Sequence, residues 1–205
     1  MNQYEQLKRP FKASKISWRA GAVSYHDKDT KKQPKSAIAL AYIDARDVME
    51  RLDEVFGMNW QCKYSHAENK TICELSVLID GVWITRSNGA GDSDVEAEKG
   101  AISDAFKRAG VMFGIGRYLY DLPNQWVEVD QYKKFSVTPL LPTGFYPVVT
   151  DKQAAEYVKQ MLDETKSKEE KTAIYAQAKF DCEEAEDKDM WDFIKSAIQP
   201  KKEAK

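Results

Sequence analysis

The run from Asp94 to Phe113, "DVEAEKGAISDAFKRAGVMF", limits the folds open to this chain more than any other stretch. Ala97, Ala101, Ala105 and Ala109 recur every four residues, and Ile102, Phe106, Met112 and Phe113 widen the same side. That spacing lines side chains along one stripe of an α-helix. A stripe of alanines offers little bulk, so the helix must lie close to whatever it packs on, and a sheet is the expected partner. Ser93 with Glu96 forms a capping box at its start, and Gly114 stands where a helix ends. Lys99, Ser103 and Lys107 recur on the opposite side, with Arg108 at the border between the two.

The Gly114-Ile115-Gly116 step invites a phosphate-loop reading, but its polarity is wrong. Phosphate loops lie between a strand and the start of a helix, where free N–H groups face the anion. Here the glycines follow a helix, no third glycine comes after them, and no G-K-[ST] is present. They read as a helix stop and a turn.

The flanking segments point to an α+β fold. "KISWRAGAVSY" (15–25) and "SAIALAYI" (36–43) alternate as strands, joined by the polar loop "HDKDTKKQPK" (26–35). Asp44 can cap a helix in which Ala45, Val48, Leu52, Val55 and Phe56 share a face, ending at Gly57. "WQCKY" (60–64), "TICELSVLI" (71–79) and "VWITRS" (82–87) read as strands, the last two joined by Asp80-Gly81, a strong hairpin signal. "NGAGDSD" (88–94) reads as a flexible connection. The expected core is therefore β-β-α-β-β-β-α, an antiparallel sheet packed on helices. This core is assigned to residues 1–135. "SVTPLLPTGFYP" lies within a Pro-rich linker over 136–150, and a small region of three amphipathic helices follows over 151–205.

Net charge is −2, but it is unevenly spread. Met1 to Lys35 carries nine cations against three acids, whereas Asp151 to Lys205 carries 11 lysines against 14 acids. A basic front suits a polyanionic partner, and a solvated basic segment explains the same charge equally well. The three cysteines form no paired framework, and no secretory pattern opens the chain, so a cytoplasmic location is expected. No apolar run approaches the ~20 residues that cross a bilayer, and no membrane partner is expected.

Catalysis finds little support. Cys62, His66 and Cys73 match no common zinc spacing, and both cysteines sit in apolar alternation, where they act as small hydrophobes. Asp92, Asp94, Glu96 and Glu98 lie where acids favour a helix start, and need no metal to explain them. Two histidines in loop-like contexts build no triad. No cofactor and no catalytic residue is assigned. Cations remain: Arg19, Lys28 to Lys35 (Lys32 and Lys35 among them), Lys99, Lys107 and Arg108. Late in a helix, Lys107 and Arg108 also complement the helix dipole, a reading that competes evenly with ligand binding. Brought together, these side chains would line a groove that tracks a phosphate backbone, with affinity falling steeply with salt.

The residue order resembles a known family. "YIDARDVMERLDEVFGMNW" followed by "VEAEKGAISDAFKRAGVMFGIGRYLYDL", with "ISWR" upstream, resembles the Rad52/22 family of single-strand annealing proteins, above all the compact phage recombinases. The likeness spans about Lys15 to Pro123. It implies subunits packed into a ring or helical array, with single-stranded DNA in an outer basic groove and its bases turned outward. Annealing then requires neither ATP nor metal, and a phage-encoded member works in the bacterial host cytoplasm. By motif, Arg19 matches the groove arginine, and Lys107 and Arg108 the Lys-Arg pair of the groove helix. Lys70 matches a second, outer DNA-contacting lysine. Lys99, Lys35 and Lys32 are expected to add charge. The chain departs from eukaryotic members in the acidic "NGAGDSDVEAE" before the groove helix. An alternative assigns the core to assembly only, with the C-terminal helices recruiting a replication or single-strand-binding protein.

Overall fold

The computed structural model describes residues 2–27, 29–91, 97–142 and 144–197, without the side chains of residues 97–99. The described chain forms two compact units. One comprises residues 2–9 and 42–121, the other 10–41 and 122 onward. The element order is α1 (Gln3–Lys8), β1 (Ser17–Tyr25), β2 (Pro34–Tyr42), α2 (Ala45–Phe56), β3 (Trp60–Ala67), β4 (Lys70–Ile79), β5 (Val82–Gly91), α3 (Ala97–Met112), β6 (Trp126–Glu128), α4 (Lys152–Glu164), α5 (Lys168–Glu184) and α6 (Lys188–Lys195). From β1 to α3 the order is the expected β-β-α-β-β-β-α, and the class is α+β. The strands form two three-stranded sheets, β1-β2-β6 and β3-β4-β5.

In the first unit the β4–β5 hairpin turns at Asp80-Gly81. Both residues have positive φ (49° and 79°), with Ile79 opposite Val82, as a two-residue hairpin of primed type requires. The chain beyond Ser87 was expected to be flexible, but β5 continues through Gly91, because Asn88 to Gly91 pair with Cys73 to Lys70 of β4. Strand pairing across the hairpin satisfies backbone groups that composition alone assigns to a loop. One face of this sheet, with Thr71, Cys73, Leu75 and Val77 buried, receives α3. Ala101, Ala105 and Ala109 are at most 4% exposed, so the alanine stripe does pack inward. Phe106 lies 6.0 Å from Trp60, ring centre to ring centre. Ser93 and Glu96, the expected capping box, lie outside the described residues.

Helix α2 starts at a capping box in which Asp44 and Asp47 bond each other's backbone, and Gly57 at φ 58° ends it. It packs against α3 where Gly110 meets Val48: a Cβ on Gly110 would lie 2.8 Å from Val48 Cγ1. Helix α1 is held by the buried Arg51 of α2, whose guanidinium donates to the carbonyls of Gln6 (3.0 Å), Leu7 (3.2 Å) and Arg9 (2.6 Å). These are carbonyls that the end of a short helix leaves without internal partners.

In the second unit β6 pairs antiparallel with β2, placing Trp126 opposite Ile38. The Pro-rich stretch carries buried Leu141, Tyr146 and Val149. Asp181 of α5 is buried and accepts from the Val149 N–H (3.0 Å) and the Gln177 amide (2.8 Å). Helix α4 reaches the front of the unit through Lys12–Glu164 (2.8 Å) and through the Tyr157 hydroxyl, which donates to the Pro10 carbonyl (3.3 Å). No helix among the described residues is long and apolar enough to cross a membrane.

Candidate nucleic-acid interface

Helix α3 carries the strongest local concentration of candidate side chains. With its alanine stripe against the sheet, the outward face holds Ser103, Asp104, Lys107 and Arg108. Its C-terminal half is tightly positioned. Asn88 of β5 donates to the Arg108 carbonyl (3.4 Å), and Arg86 donates to the Met112 carbonyl while its guanidinium lies 5.1 Å from the centre of the Phe113 ring. Arg117 donates to the carbonyls of Val111 (2.8 Å) and Met112 (2.8 Å). Arg86 and Arg117 thus complement the negative end of the helix, a task that the sequence offers to Lys107 and Arg108. Gly114 adopts φ 99° immediately beyond, and the stem of Lys8 occupies the space a side chain there would need.

The two cations of α3 differ. The Arg108 side chain is 50% exposed and its Nε donates to Asp104 Oδ2 at 2.8 Å. That hydrogen bond and charge push the Arg108 pKa above its ordinary value. The Lys107 side chain is 28% exposed, its Nζ 3.8 Å from Asp104 Oδ1 and 5.7 Å from the centre of the Tyr42 ring. Asp104 therefore bridges both cations. Its spacing, three and four residues before them, is the helical ion-pair signal that would have revealed it in the sequence.

The other candidate residues are dispersed. Lys70 is exposed at the start of β4 and, by strand alternation, on the sheet face opposite to α3. Arg19 is exposed on β1. Leu40 of β2 packs over Gly21, on the face that Arg19 shares, whereas Lys35 aligns with the buried Ala37 and Ala39 on the other face. Lys32 is exposed in the turn between β1 and β2. Lys28 lies outside the described residues, as does the side chain of Lys99.

The three residues weighed as metal ligands differ in setting: Cys73 is buried, Cys62 partly buried and His66 exposed. Cys73 is fully buried, and burial pushes its thiol up to about 12. His66 Nδ1 meets the Thr71 hydroxyl at 3.3 Å, and the Cys62 thiol meets the Tyr64 hydroxyl at 3.8 Å.

Comparison with known proteins gives this arrangement a context. Two relatives are named single-stranded DNA-binding protein DdrA. That of Deinococcus deserti is 35% identical over 137 residues, covering 66% of this chain and 65% of the relative. That of Deinococcus radiodurans is 35% identical over 132 residues, covering 63% and 60%. The chain thus spans just under two thirds of the length of these curated relatives. No solved structure is significantly similar to it. The profile of the Rad52/22 family double-strand break repair proteins matches residues 2–137, a range that takes in both sheets, the alanine-striped helix and the Asp104-bridged cations. The chain belongs to the Rad52/22 family.

Proposed function

We propose that this protein binds single-stranded DNA and anneals complementary strands in recombination and double-strand break repair, without ATP or a metal, as a homo-oligomeric ring or helical array in the cytoplasm. The observation that carries this reading is membership of a repair family over residues 2–137, joined to likeness to two proteins named for single-stranded DNA binding. In this account Arg19, Lys107 and Arg108 contact phosphates, and Lys32, Lys35, Lys70 and Lys99 contribute further positive charge. Annealing must accept any sequence, so the surface neutralises backbone charge and leaves base edges free. Repeating one modest site around an assembly raises affinity through effective concentration. Holding a strand extended lowers the entropic cost of pairing with its complement. The protein makes and breaks no covalent bond.

The test mixes complementary fluorescent strands with the full chain in the absence of ATP. Accelerated pairing is expected, and Arg19→Ala and Lys107→Ala should each slow it and weaken strand binding while assemblies persist. No acceleration by the wild-type protein refutes the function. Normal affinity in both variants refutes the site.

A second reading draws on α5, α6 and the turn between them, which lie beyond the family match and carry the exposed acids Glu183, Glu184, Glu186, Asp189 and Asp192 within a short span. In it the C-terminal region recruits a replication or single-strand-binding protein. Tyr157 and Glu164 of α4 bind Pro10 and Lys12, so deletion would disturb the unit itself. Charge reversal at the exposed Glu183 and Glu184 is the cleaner test: loss of partner capture with DNA binding intact supports recruitment.

A further inference from the structure

The chain leaves α3 through Gly114 and Gly116 and forms a short 3-10 turn, Arg117–Asp121. This turn is firmly held. Arg117 ties it to the Val111 and Met112 carbonyls, Leu119 is buried, and the Leu119 N–H donates to the Gly116 carbonyl (3.2 Å). Between Leu119 and Asp121, Tyr120 turns outward and is 72% exposed. The turn that carries it is fastened to the C-terminal end of α3, the helix that bears Lys107 and Arg108. An exposed aromatic ring is thus presented on a rigid mount at the end of the cation-bearing helix.

An exposed tyrosine in a surface turn is ordinary by itself. Here its backbone is fixed by neighbours on both sides, so little backbone freedom is lost when something docks on the ring. Arg108, on the helix to which the turn is fastened, already holds charge outward at half exposure. A cation that takes a phosphate beside a ring that takes a base face is the pairing by which proteins hold single strands without reading sequence, because every base has a π-face. Duplex DNA, with its bases stacked inside, offers nothing to such a ring.

We infer that Tyr120 is a base-stacking residue, packing its ring against an unpaired base of the strand whose backbone lies at Lys107 and Arg108. The inference rests on the single-stranded DNA reading above. It assigns this part of the surface two functions: Arg108 neutralises phosphate, and Tyr120 packs on a base face.

The experiment compares full-length wild type, Tyr120→Ala, Tyr120→Phe and Arg108→Ala by fluorescence anisotropy. Each binds an oligothymidylate and a strand of equal length made of abasic sugar-phosphate units. The Tyr120→Ala variant should bind oligothymidylate about 5- to 150-fold more weakly and the abasic strand within about twofold of wild type. Tyr120→Phe should match wild type on both strands, since the ring and not the hydroxyl stacks. Arg108→Ala should weaken both strands alike, because both carry phosphate. Equal loss on the two strands in Tyr120→Ala, no loss on either, or a loss in Tyr120→Phe equal to that in Tyr120→Ala overturns the stacking role. Wild-type protein that binds neither strand overturns the single-stranded DNA reading, and the stacking role with it.

Discussion

Asp104→Asn is expected to tighten single-stranded DNA binding. Asp104 lies 2.8 Å from Arg108 Nε and 3.8 Å from Lys107 Nζ, with all three side chains partly exposed. A phosphate hydrogen-bonded to either cation would lie about 6 Å from the Asp104 carboxylate. The repulsion at ~6 Å is roughly 0.7 kcal/mol with the dielectric of bulk water and nearly 3 kcal/mol with that typical near a protein surface. Against this, Asp104 orients the two cations, but exposed pairs of this spacing contribute only about 0.3–0.5 kcal/mol. The repulsion wins by about 1 kcal/mol, roughly fivefold in Kd. Asparagine keeps the shape and removes the charge. Anisotropy titrations of a labelled oligothymidylate between about 50 and 500 mM salt would measure the effect, which should shrink as screening grows. An Asp104→Asn variant that binds no tighter than wild type at the lowest salt would show that Asp104 serves chiefly to orient, and would refute the reasoning.

Two further outcomes follow from packing and titration. Gly110→Ala forces a Cβ to 2.8 Å from Cγ1 of the fully buried, rotamer-restricted Val48, whereas Gly100→Ala, in the same helix, meets nothing within 4 Å. Urea unfolding should show Gly110→Ala losing about 1–2 kcal/mol, since overpacking at roughly 1–3 kcal/mol outweighs a propensity gain of up to ~1 kcal/mol, and Gly100→Ala gaining part of that propensity. Shifts of the same sign would contradict the close approach of α2 and α3. Stability should also fall in alkali. Burial holds the Cys73 thiol up at about 12 from 9.0 and the Tyr146 hydroxyl up at about 12 from 10.0. Above about pH 9 the unfolded chain sheds protons that the folded chain keeps, so stability is full below that pH and is lost towards pH 12. Melting temperatures that stay flat from pH 8.5 to 11 would refute this, and Cys73→Ala should reduce the slope.

Most of what could be read directly was local. The alanine stripe of α3, the Asp44 cap of α2, the Asp80-Gly81 turn and the stop at Gly114 each depend on residues within a few positions of one another. Periodicity and φ preference therefore reveal them without knowledge of the rest. The ion pairs of Lys107 and Arg108 with Asp104 are local too, carried by a spacing of three and four residues. Helix α1 escaped notice because it depends on Arg51, more than forty residues away. Strand β6 depends on pairing with β2, and its three residues carry no pattern of their own.

Sequence alone settled which faces exist: an inward alanine stripe, alternating strands and a cationic outer row on one helix. Tertiary structure decided how those side chains are employed. Arg86 and Arg117 complement the end of α3, Lys35 and Arg19 fall on opposite sheet faces, and Tyr120 is held outward on a fixed turn. The physical reason is that hydrogen bonds and burial pair groups across long separations in the chain. Whether a cation faces solvent or caps a helix is settled only when its distant partners arrive.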